Sequence, residues 1–425
     1  MRVLWIVNQA TPAIADAFNI KTGFGGGWMV DLSRLLSSTL NLGIAFPVAK
    51  SSHYMEKTVE NISCFAFPCE KAAVNISEKT CGYLKNAIEK FKPDIVHIWG
   101  TEYIHSYVTV KACTSLSFTN VIVSIQGMVS IYHRHFWGFI DGFRIYKPTL
   151  MDMYRRNSLS LQYKMFEKRG HYEIEAIKSV KHVIGRTDWD RACTKQINHD
   201  VKYHFCNETL RSSFYQASWS LESCERHSLF VSQCQYPIKG FHLALEALSI
   251  LVKMYPDAKL YTTGRDCLKQ GVKERLKDTG YQKYIRNFIL KNGLENHIVF
   301  LGALNELEMR NRFLMSHTFV SASSIENSPN SVGEAMHLGV PTVSSDVGGV
   351  RNLMEHGKEG FGYQADAPYM LAYYVDKVWS DDGLAVKLSR NAQARARVTH
   401  DPQKNLETLM RIYEEIVRGE NIGEV

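Results

Sequence analysis

Long apolar runs are missing from this sequence. A membrane-spanning helix needs about 20 consecutive apolar residues, and no stretch of the 425 residues approaches that length. The apolar run near the start, from Val3 to Val7, is also too short for the hydrophobic part of a secretory signal. We therefore expect a cytoplasmic protein, either soluble or peripheral on the inner face of the cell membrane.

Cysteine patterns typical of disulfides or zinc are missing as well. The nine cysteines are scattered, without a CxxC motif or a Cys/His pair at zinc-ligand spacing. This argues against a disulfide framework and a structural metal, and it fits a reducing compartment. The GxGxxG fingerprint is also missing, which counts against a nicotinamide enzyme. The net charge of +7 is a mild surplus that suits an anionic substrate, nucleic acid or an anionic membrane alike.

Short β-rich runs alternate with helical patterns along the whole chain. Parallel sheets covered by helices on both faces have such near-continuous apolar strands, and their ligands bind at the carboxyl ends of the strands. The length is enough for two such domains. We predict an α/β protein with domains at 1–207 and 208–400, followed by an amphipathic helix at 401–425. The strand-like runs are RVLWIVN, DIVHIWG, NVIVSIQG, KHVIGRT, SLFVSQ, AKLYTTG, HIVFLGA, HTFVSAS and PTVSSD.

The segment SSIENSPNSVGEAMHLGVP, residues 323–341, places two glutamates eight positions apart around a predicted helix start. Ser328 and Pro329 are suited to the N-cap and the first helical position, and Gly339 to the helix end. The amides of Asn330 and Ser331 then point out of the helix start and favour an anion.

Glu326 and Glu334 would repel a bare phosphate, but they suit hydroxyl-bearing rings on either side of a diphosphate. The segment therefore fits a nucleotide-sugar. An ordinary capped helix with two solvated glutamates remains the alternative.

Two further loops are candidates for an anion. Lys239 and Gly240 follow a predicted strand and open a predicted helix, so the lysine supplies a positive charge and the glycine allows close backbone approach. Gly23–Gly27, in the sequence GFGGG, can line an anion with glycine amides. A surface lysine beside a turn glycine and a flexible turn are the respective alternatives.

Taken in this order, these residues resemble glycosyltransferase family 4, the retaining nucleotide-sugar-dependent enzymes of the GT-B fold. The resemblance covers nearly the whole chain. Its most specific part joins the KG dipeptide, VFLGALNELEM, the two glutamates and GVPTVSSDVGGVRNLMEHGKEGF. It implies two doubly wound, Rossmann-like domains, an acceptor-side one first and a donor one second, with the C-terminal helix crossing back to the first domain. The sequence is similar to bacterial enzymes that build capsular, exopolysaccharide or lipid-linked glycans.

The resemblance also implies roles for the candidate residues. Glu326 would hold hydroxyls of the transferred sugar and Glu334 the ribose, while Lys239 and the amides of Asn330 and Ser331 would hold the diphosphate. Gly26 and Gly27 would approach the same phosphates, beside Gly240. The expected donor is a UDP-sugar, the expected acceptor a glycan or lipid-linked glycan, and no metal, further cofactor or nucleic-acid partner is expected.

This sequence departs from the family pattern at two places. Many relatives have an arginine where Gln233 stands, so one positive charge is missing. The histidine often found in acceptor-side loops is absent where Trp99 and Gln126 stand. Trp99, Glu102 and Gln126 end predicted strands and, with Arg186, are our acceptor-side candidates, although a tryptophan in the core is an equal alternative for Trp99. His97 is interpreted as an interior histidine.

Two segments outside the motif need an interpretation. Asp188-Trp189-Asp190 resembles the DxD metal motif of another glycosyltransferase fold, but it starts a predicted helix, so we interpret it as a helix cap. Residues 132–172 hold eight Lys or Arg, three Asp or Glu and ten aromatics, and we assign them to the first domain. Their aromatics and cations fit an anionic membrane surface; core packing with a solvated basic face, or single-stranded nucleic acid, fits the same composition.

Three functions remain open at this point. The first is sugar transfer, which both glutamates and the lysine favour. The second is a non-catalytic nucleotide-sugar-binding protein that has lost transfer together with the missing arginine. The third is a sugar-nucleotide epimerase or a phosphorylase of the same fold; an epimerase would turn over its substrate without an acceptor, and a phosphorylase would carry pyridoxal phosphate on a lysine.

Overall fold

The computed structural model describes residues 1–20, 27–49, 51, 53–69, 75–141, 148–154 and 158–419, except for the side chain of Trp28. The chain forms two compact units. The first unit comprises Met1–His133, Met165–Arg211 and His400–Val425, and the second comprises Arg134–Lys164 and Ser212–Thr399.

The first unit is built on an eight-stranded sheet in the order β3-β4-β2-β1-β5-β6-β7-β8. Only the β3–β4 pair is antiparallel among these strands. The order reverses direction between β1 and β5, so the sheet has a switch point there. The strands are β1 (Arg2–Ile6), β2 (Asn41–Val48), β3 (Met55–Val59), β4 (Ile62–Pro68), β5 (Ile95–Trp99), β6 (Val121–Ser124), β7 (His182–Gly185) and β8 (Lys202–Phe205).

Helices flank this sheet and complete the first unit. They are α1 (Pro12–Ala17), α2 (Gly27–Ser37), α3 (Glu78–Phe91), α4 (Ile104–Ser115), α5 (Val129–Tyr132), α8 (Asp188–Ile197) and α17 (Pro402–Arg418).

The second unit is built on a six-stranded sheet in the order β11-β10-β9-β12-β13-β14, with every pair parallel. Counted within this unit, the order is 3-2-1-4-5-6, the doubly wound arrangement with its switch point between the first and fourth strands. The strands are β9 (Glu225–Val231), β10 (Lys259–Thr262), β11 (Ile298–Phe300), β12 (Ser316–Ser321), β13 (Thr342–Ser345) and β14 (Phe361–Tyr363).

The helices of the second unit follow the same alternation. They are α6 (Leu150–Tyr154), α9 (Phe241–Leu251), α10 (Val272–Arg275), α11 (Gly280–Lys291), α12 (Glu306–Leu314), α13 (Asn330–Leu338), α14 (Val350–Leu353), α15 (Pro368–Ser380) and α16 (Asp382–Thr399). Helix α7 (Leu159–Lys178) has residues in both units. No helix within the described ranges is both long enough and apolar enough to cross a bilayer.

The predicted C-terminal helix belongs to the first unit, which confirms the crossover. Its buried face comprises Leu406, Leu409, Ile412, Tyr413 and Ile416, the stripe expected from the sequence. The Tyr413 hydroxyl accepts a hydrogen bond from Trp5 Nε1 (3.0 Å) and donates to His97 Nδ1 (2.6 Å). His97 Nε2 then donates to Ser124 Oγ (2.7 Å). Helix α17 is thereby tied to strands β1, β5 and β6.

His97 is an interior histidine, as predicted. Its side chain is fully buried, both ring nitrogens are hydrogen-bonded, and burial lowers its pKa to about 3. The ring is therefore neutral at pH 7, which agrees with one nitrogen donating and the other accepting.

The placement of residues 134–164 corrects the sequence-based assignment to the first domain. Thr149 Oγ1 donates to the Asp278 carbonyl (2.7 Å), and the Asp152 carboxylate accepts from the Gly280 amide (3.0 Å). Because Asp152 is buried, these hydrogen bonds hold the segment as a packed part of the second unit. Hydrophobic periodicity could not reveal this placement, because the contacts join residues more than 120 positions apart.

Candidate functional site

Lys239 and Glu326 meet at the switch point of the second sheet. The loop after β9 carries Lys239 and the loop after β12 carries Glu326. Lys239 Nζ lies 2.5 Å from Glu326 Oε1, and Ser323 Oγ donates to the same oxygen at 2.7 Å. The Lys239 side chain is 35% exposed and that of Glu326 is 10% exposed. A charged pair with its lysine open to solvent therefore occupies the edge of the sheet where such folds bind ligands.

Close backbone contacts hold the two loops together. Gly240 has φ 66°, and a Cβ at this position would clash with the Ala322 carbonyl oxygen. The Ser324 amide donates to the Ile238 carbonyl at 2.9 Å. The close approach that the sequence assigns to Gly240 is thus one between its own loop and the end of β12. Lys239 is fixed beside Glu326 because Gly240 lets the backbones come this near.

Helix α13 begins one residue later than predicted. Pro329 is its N-cap, with φ −69° and ψ 114°, and the Pro329 carbonyl accepts from the amides of Val332 (3.0 Å) and Gly333 (3.2 Å). Ser328 is therefore outside the helix. Asn330 and Ser331 occupy the first two helical positions, so their amides precede the first intrahelical donor and point out of the helix start.

Glu334 lies in the second turn of α13 and is 7% exposed, as is Glu326 before the helix. Both carboxylates are thus held in the structure rather than solvated, which removes the alternative of two surface glutamates. The helix ends at Gly339 with φ 83°, as the sequence predicts.

The remaining predicted donor residues are placed differently. Gln233 is exposed in the loop after β9, where the sequence suggests that an arginine is missing. Gly27 is the first residue of α2 in the first unit. Gly26 lies outside the described residues.

Three of the acceptor-side candidates, Trp99, Gln126 and Arg186, lie around Glu208 in the first unit. Arg186 forms an ion pair with Glu208, whose carboxylate also accepts a hydrogen bond from Gln126 Nε2. Arg186 Nη2 lies 3.5 Å from Gln126 Oε1. Trp99, the last residue of β5, stacks on His97 with 4.2 Å between ring centroids. Arg186 is thus engaged in a buried pair, and Trp99 is a core residue at a strand end.

Trp99, Arg186 and Glu208 line a cavity of about 20 Å³. This volume accommodates a water molecule. The acceptor-side role of these residues remains a prediction.

Glu102 lies apart from this cluster, at the switch point of the first sheet. It follows β5, and Asn8, which follows β1, directs Nδ2 towards Glu102 Oε2 at 3.5 Å. Burial, with a smaller contribution from the nearby charge of Glu173, raises the pKa of Glu102 to about 7. Glu173 itself accepts from Thr101 Oγ1 (2.6 Å) and the Ser130 amide (2.9 Å), which joins the loops after β5 and β6. Glu102 is therefore the acceptor-side candidate whose carboxyl group is a weaker acid than an ordinary glutamate.

The second unit matches the family described as Glycosyl transferases group 1 over residues 214–395. The uncharacterized glycosyltransferase MJ1607 of Methanocaldococcus jannaschii is 27% identical over 179 residues, which are 42% of this chain and 42% of that protein. The chain matches less than half the length of each curated relative found.

Two solved structures share the architecture over almost the whole chain. Sucrose-phosphate synthase from Thermosynechococcus elongatus has a TM-score of 0.69 at 12% identity, with 99% of this chain and 100% of that chain covered. Anabaena Alr3699/HepE in complex with UDP has a TM-score of 0.68 at 14% identity, with 98% and 100% covered.

The fold is GT-B. Residues 214–395 of the second unit are similar to group 1 glycosyl transferases. Lys239, Glu326 and Glu334 all lie inside the matched range. Lys239 and Glu326 also lie at the switch point of its sheet. These findings support the predicted enzyme class, a glycosyltransferase.

The Asp188-Trp189-Asp190 motif is a helix cap, as predicted. Thr187 is the N-cap of α8, its side chain accepts from the Asp190 amide at 3.0 Å, and the Asp190 carboxylate accepts from the Thr187 amide in return. Asp190 also accepts from the Arg186 amide at 3.1 Å. Within the described part of the chain, no three His, Cys, Asp or Glu side chains are grouped to hold a metal ion. Metal-independent activity remains a prediction.

Sequence reasoning missed several residues of these clusters. Ser323 hydrogen-bonds Glu326 and lies three positions before it, a spacing visible in SSIE. Arg186 follows β7 and Glu208 follows the neighbouring strand β8. Their positions after adjacent strands would have predicted that they meet, but β8 was not predicted from the sequence. Glu173 lies in the middle of a helix, and its role depends on folding alone.

Proposed function

We propose that this protein is a retaining glycosyltransferase that moves a sugar from a UDP-sugar to a glycan or lipid-linked acceptor in bacterial surface polysaccharide synthesis. The observation that carries the proposal is the Lys239–Glu326 pair at the switch point of a domain that is similar to group 1 glycosyl transferases. Alr3699/HepE, which has the same fold, has been solved with UDP and with UDP-glucose, and this supports UDP as the nucleotide.

Each residue has a role that its chemistry suits. Lys239 and the amides of Asn330 and Ser331 bind the diphosphate, because a cation and a helix start both attract anions. Glu334 accepts hydrogen bonds from ribose hydroxyls, and Glu326 from hydroxyls of the transferred sugar. When the donor binds, Lys239 lies between a phosphate and Glu326. The positive charge of the lysine then stays near the bond between the anomeric carbon and the phosphate oxygen.

Transfer breaks the bond between the anomeric carbon and the phosphate oxygen and forms a bond from the acceptor oxygen on the same face. The proton of the acceptor hydroxyl passes to the departing phosphate oxygen, so no side-chain base is required. Lys239 and the helix amides stabilise the negative charge that develops on the diphosphate. We propose that the reaction uses no metal ion or further cofactor.

The proposal predicts selective protection by UDP-sugars. UDP and UDP-sugars should raise the unfolding temperature, since a ligand at 100 times its Kd stabilises the folded state by about 2.7 kcal/mol. Uridine, which lacks the diphosphate, is the control and should protect far less. Mass spectrometry of the same mixtures detects slow acceptor-free hydrolysis of the cognate donor. If no nucleotide-sugar with a uracil, guanine, adenine or thymine base shifts the unfolding transition, the donor site is wrongly assigned. If an isomerised nucleotide-sugar accumulates instead, the enzyme is an epimerase.

We further propose that α6 contacts an anionic membrane surface. Leu150, Met153 and Tyr154 are 66%, 55% and 85% exposed and have the i, i+3, i+4 spacing of one helix face. Asp152, on the same helix, is buried and anchors it to the Gly280 amide. Lys147, Arg155 and Arg156 flank the helix in sequence. An exposed apolar helix face with cations next to it in the sequence is a composition that binds anionic lipid headgroups.

Part of the same segment packs inside the second unit instead. Phe136 is buried, and Trp137 stacks on Tyr163 with 5.9 Å between centroids. The proposed lipid contact is therefore limited to the face of α6.

The membrane proposal predicts binding that depends on charge and salt. The protein should sediment with anionic vesicles at low ionic strength and be released as salt rises, because screening reduces the electrostatic range to about 10 Å at 0.1 M. A variant with Ser at 150, 153 and 154 should lose most of this binding. Replacing Val272 and Leu276, the exposed first residue and C-cap residue of α10, should not. Equally poor sedimentation with neutral and anionic vesicles at low salt would show that the acceptor is met in solution.

A further inference from the structure

The turn formed by residues 135–138 lies against the loop that carries Lys239, within the second unit. Gly138 has φ 57°, and a Cβ there would clash with the Pro237 carbonyl group. The Gly138 carbonyl accepts from His242 Nε2 at 2.7 Å, and the His135 carbonyl accepts from Ser324 Oγ at 2.9 Å. This turn therefore touches both sides of the candidate site.

His242 is a fixed and neutral donor in this arrangement. It is 2% exposed, and burial lowers its pKa to about 4. Nε2 carries the hydrogen that goes to Gly138, so Nδ1 accepts from the Tyr281 hydroxyl at 3.0 Å. His242 is the second residue of α9, the helix that directly follows Lys239 and Gly240. A movement of the Gly138 turn is thus transmitted to the base of the Lys239 loop.

Ser324 connects the turn with the other loop. Its amide donates to the Ile238 carbonyl at 2.9 Å, and its hydroxyl is shared between the carbonyls of His135 (2.9 Å) and Ile238 (3.2 Å). Ile238 precedes Lys239, and Ser324 lies two residues before Glu326. The hydroxyl therefore joins three segments at one point, directly behind the Lys239–Glu326 pair.

We propose that the turn at residues 135–138 is a positioning element of the donor site, which sets the separation of Lys239 and Glu326 through His242 and Ser324. The inference rests on the proposed function for its ligand, the nucleoside diphosphate of the donor. The donor site of the second unit thus includes residues that lie about 100 positions before Lys239 in the chain. These residues act through others and do not themselves contact the donor.

Gly138→Ala tests the proposal directly, because the new Cβ pushes the turn away from Pro237. The matched control is Gly293→Ala, which has nearly the same φ of 65° but no heavy atom within 4 Å of the new Cβ. Both variants carry the same backbone strain, and only Gly138→Ala disturbs the loop. We expect UDP affinity to fall about tenfold for Gly138→Ala, as for the loss of one charge-assisted hydrogen bond, and to change less than about twofold for Gly293→Ala.

Ser324→Ala is a second test of the positioning role that does not depend on the glycine variant. It removes the shared hydroxyl and keeps the amide bond to Ile238. Its control is Ser249→Ala, which removes a hydroxyl bonded to the Glu246 carbonyl within α9. The reactivity of Lys239 towards an amine-labelling reagent, followed by peptide mass spectrometry, is a second readout that requires no ligand. Both test variants should increase it several-fold, because the ammonium group is no longer held against the Glu326 carboxylate.

The two readouts separate the inference from the proposed function. If the wild-type protein binds UDP but Gly138→Ala and Ser324→Ala match their controls in affinity and in Lys239 labelling, the positioning role is wrong. If the wild-type protein binds no nucleotide while both variants still expose Lys239, the positioning role stands and the proposed ligand is wrong. A fall in unfolding temperature shared by variant and control, without a change in labelling, shows a purely structural turn and also rejects the inference.

Discussion

Lys239→Ala and Glu334→Ala should each weaken the binding of UDP about tenfold or more. A hydrogen bond to a charged group contributes about 1.5 to 3 kcal/mol, and 1.4 kcal/mol corresponds to a tenfold change in Kd. Lys239 is expected to lose a contact with the diphosphate and Glu334 one with the ribose. Isothermal titration with UDP measures both effects without the need for an acceptor.

The controls are a lysine and a glutamate exposed on the same unit. Glu222 precedes the start of β9 and Lys253 follows the C-terminal end of α9, so both lie away from the strand end that carries the switch-point loops. The UDP affinities of Lys253→Ala and Glu222→Ala should therefore remain near that of the wild-type protein. Because Glu334 is buried, the unfolding temperature of Glu334→Ala must be measured beside its affinity. Unchanged titrations for both Lys239→Ala and Glu334→Ala would reject the assignment of the donor site.

The sequence predicts nine of the fourteen strands in the described residues and misses β2, β3, β4, β8 and β14. All nine predicted strands are present, from β1 to β13. Strand β2 was missed because Gly43 and Pro47 interrupt its pattern. Gly43 nevertheless suits its position, since a Cβ there would lie only 3.0 Å from the Leu4 and Phe91 side chains. Strands β3 and β4 form an antiparallel pair that the parallel pattern does not anticipate.

The candidate site was predictable where it depends on neighbouring residues. The helix signals placed Glu334 on α13 and Glu326 before it, and they missed the helix start by one residue. Proline causes that error, because its φ near −65° suits both the N-cap and the first helical position. The 2.5 Å contact between Lys239 and Glu326 joins residues 87 positions apart and follows from strand order, which periodicity does not encode.

The ion pair changes what replacing Glu326 should do. In the structure the Glu326 carboxylate neutralises Lys239, so a diphosphate must compete with it for the lysine. Gln at this position keeps an acceptor for the Ser323 hydroxyl and removes the competing charge. UDP affinity of Glu326→Gln should therefore remain unchanged or increase, although the residue lies within the site.

Turnover of Glu326→Gln should fall by about 100-fold or more, the size of effect seen when one electrostatic contact with a developing charge is lost. The carboxylate is proposed to hold sugar hydroxyls while positive charge grows at the anomeric carbon, and a neutral amide stabilises that charge poorly. Steady-state rates with the cognate donor, beside UDP titrations of the same preparation, separate the two effects. Ser323→Ala is the matched control, because it keeps the carboxylate and removes one of its supporting hydrogen bonds, so its turnover should fall much less. If UDP binding by Glu326→Gln collapses while Glu334→Ala binds normally, the roles of the two carboxylates are reversed, with Glu326 at the ribose and Glu334 at the sugar.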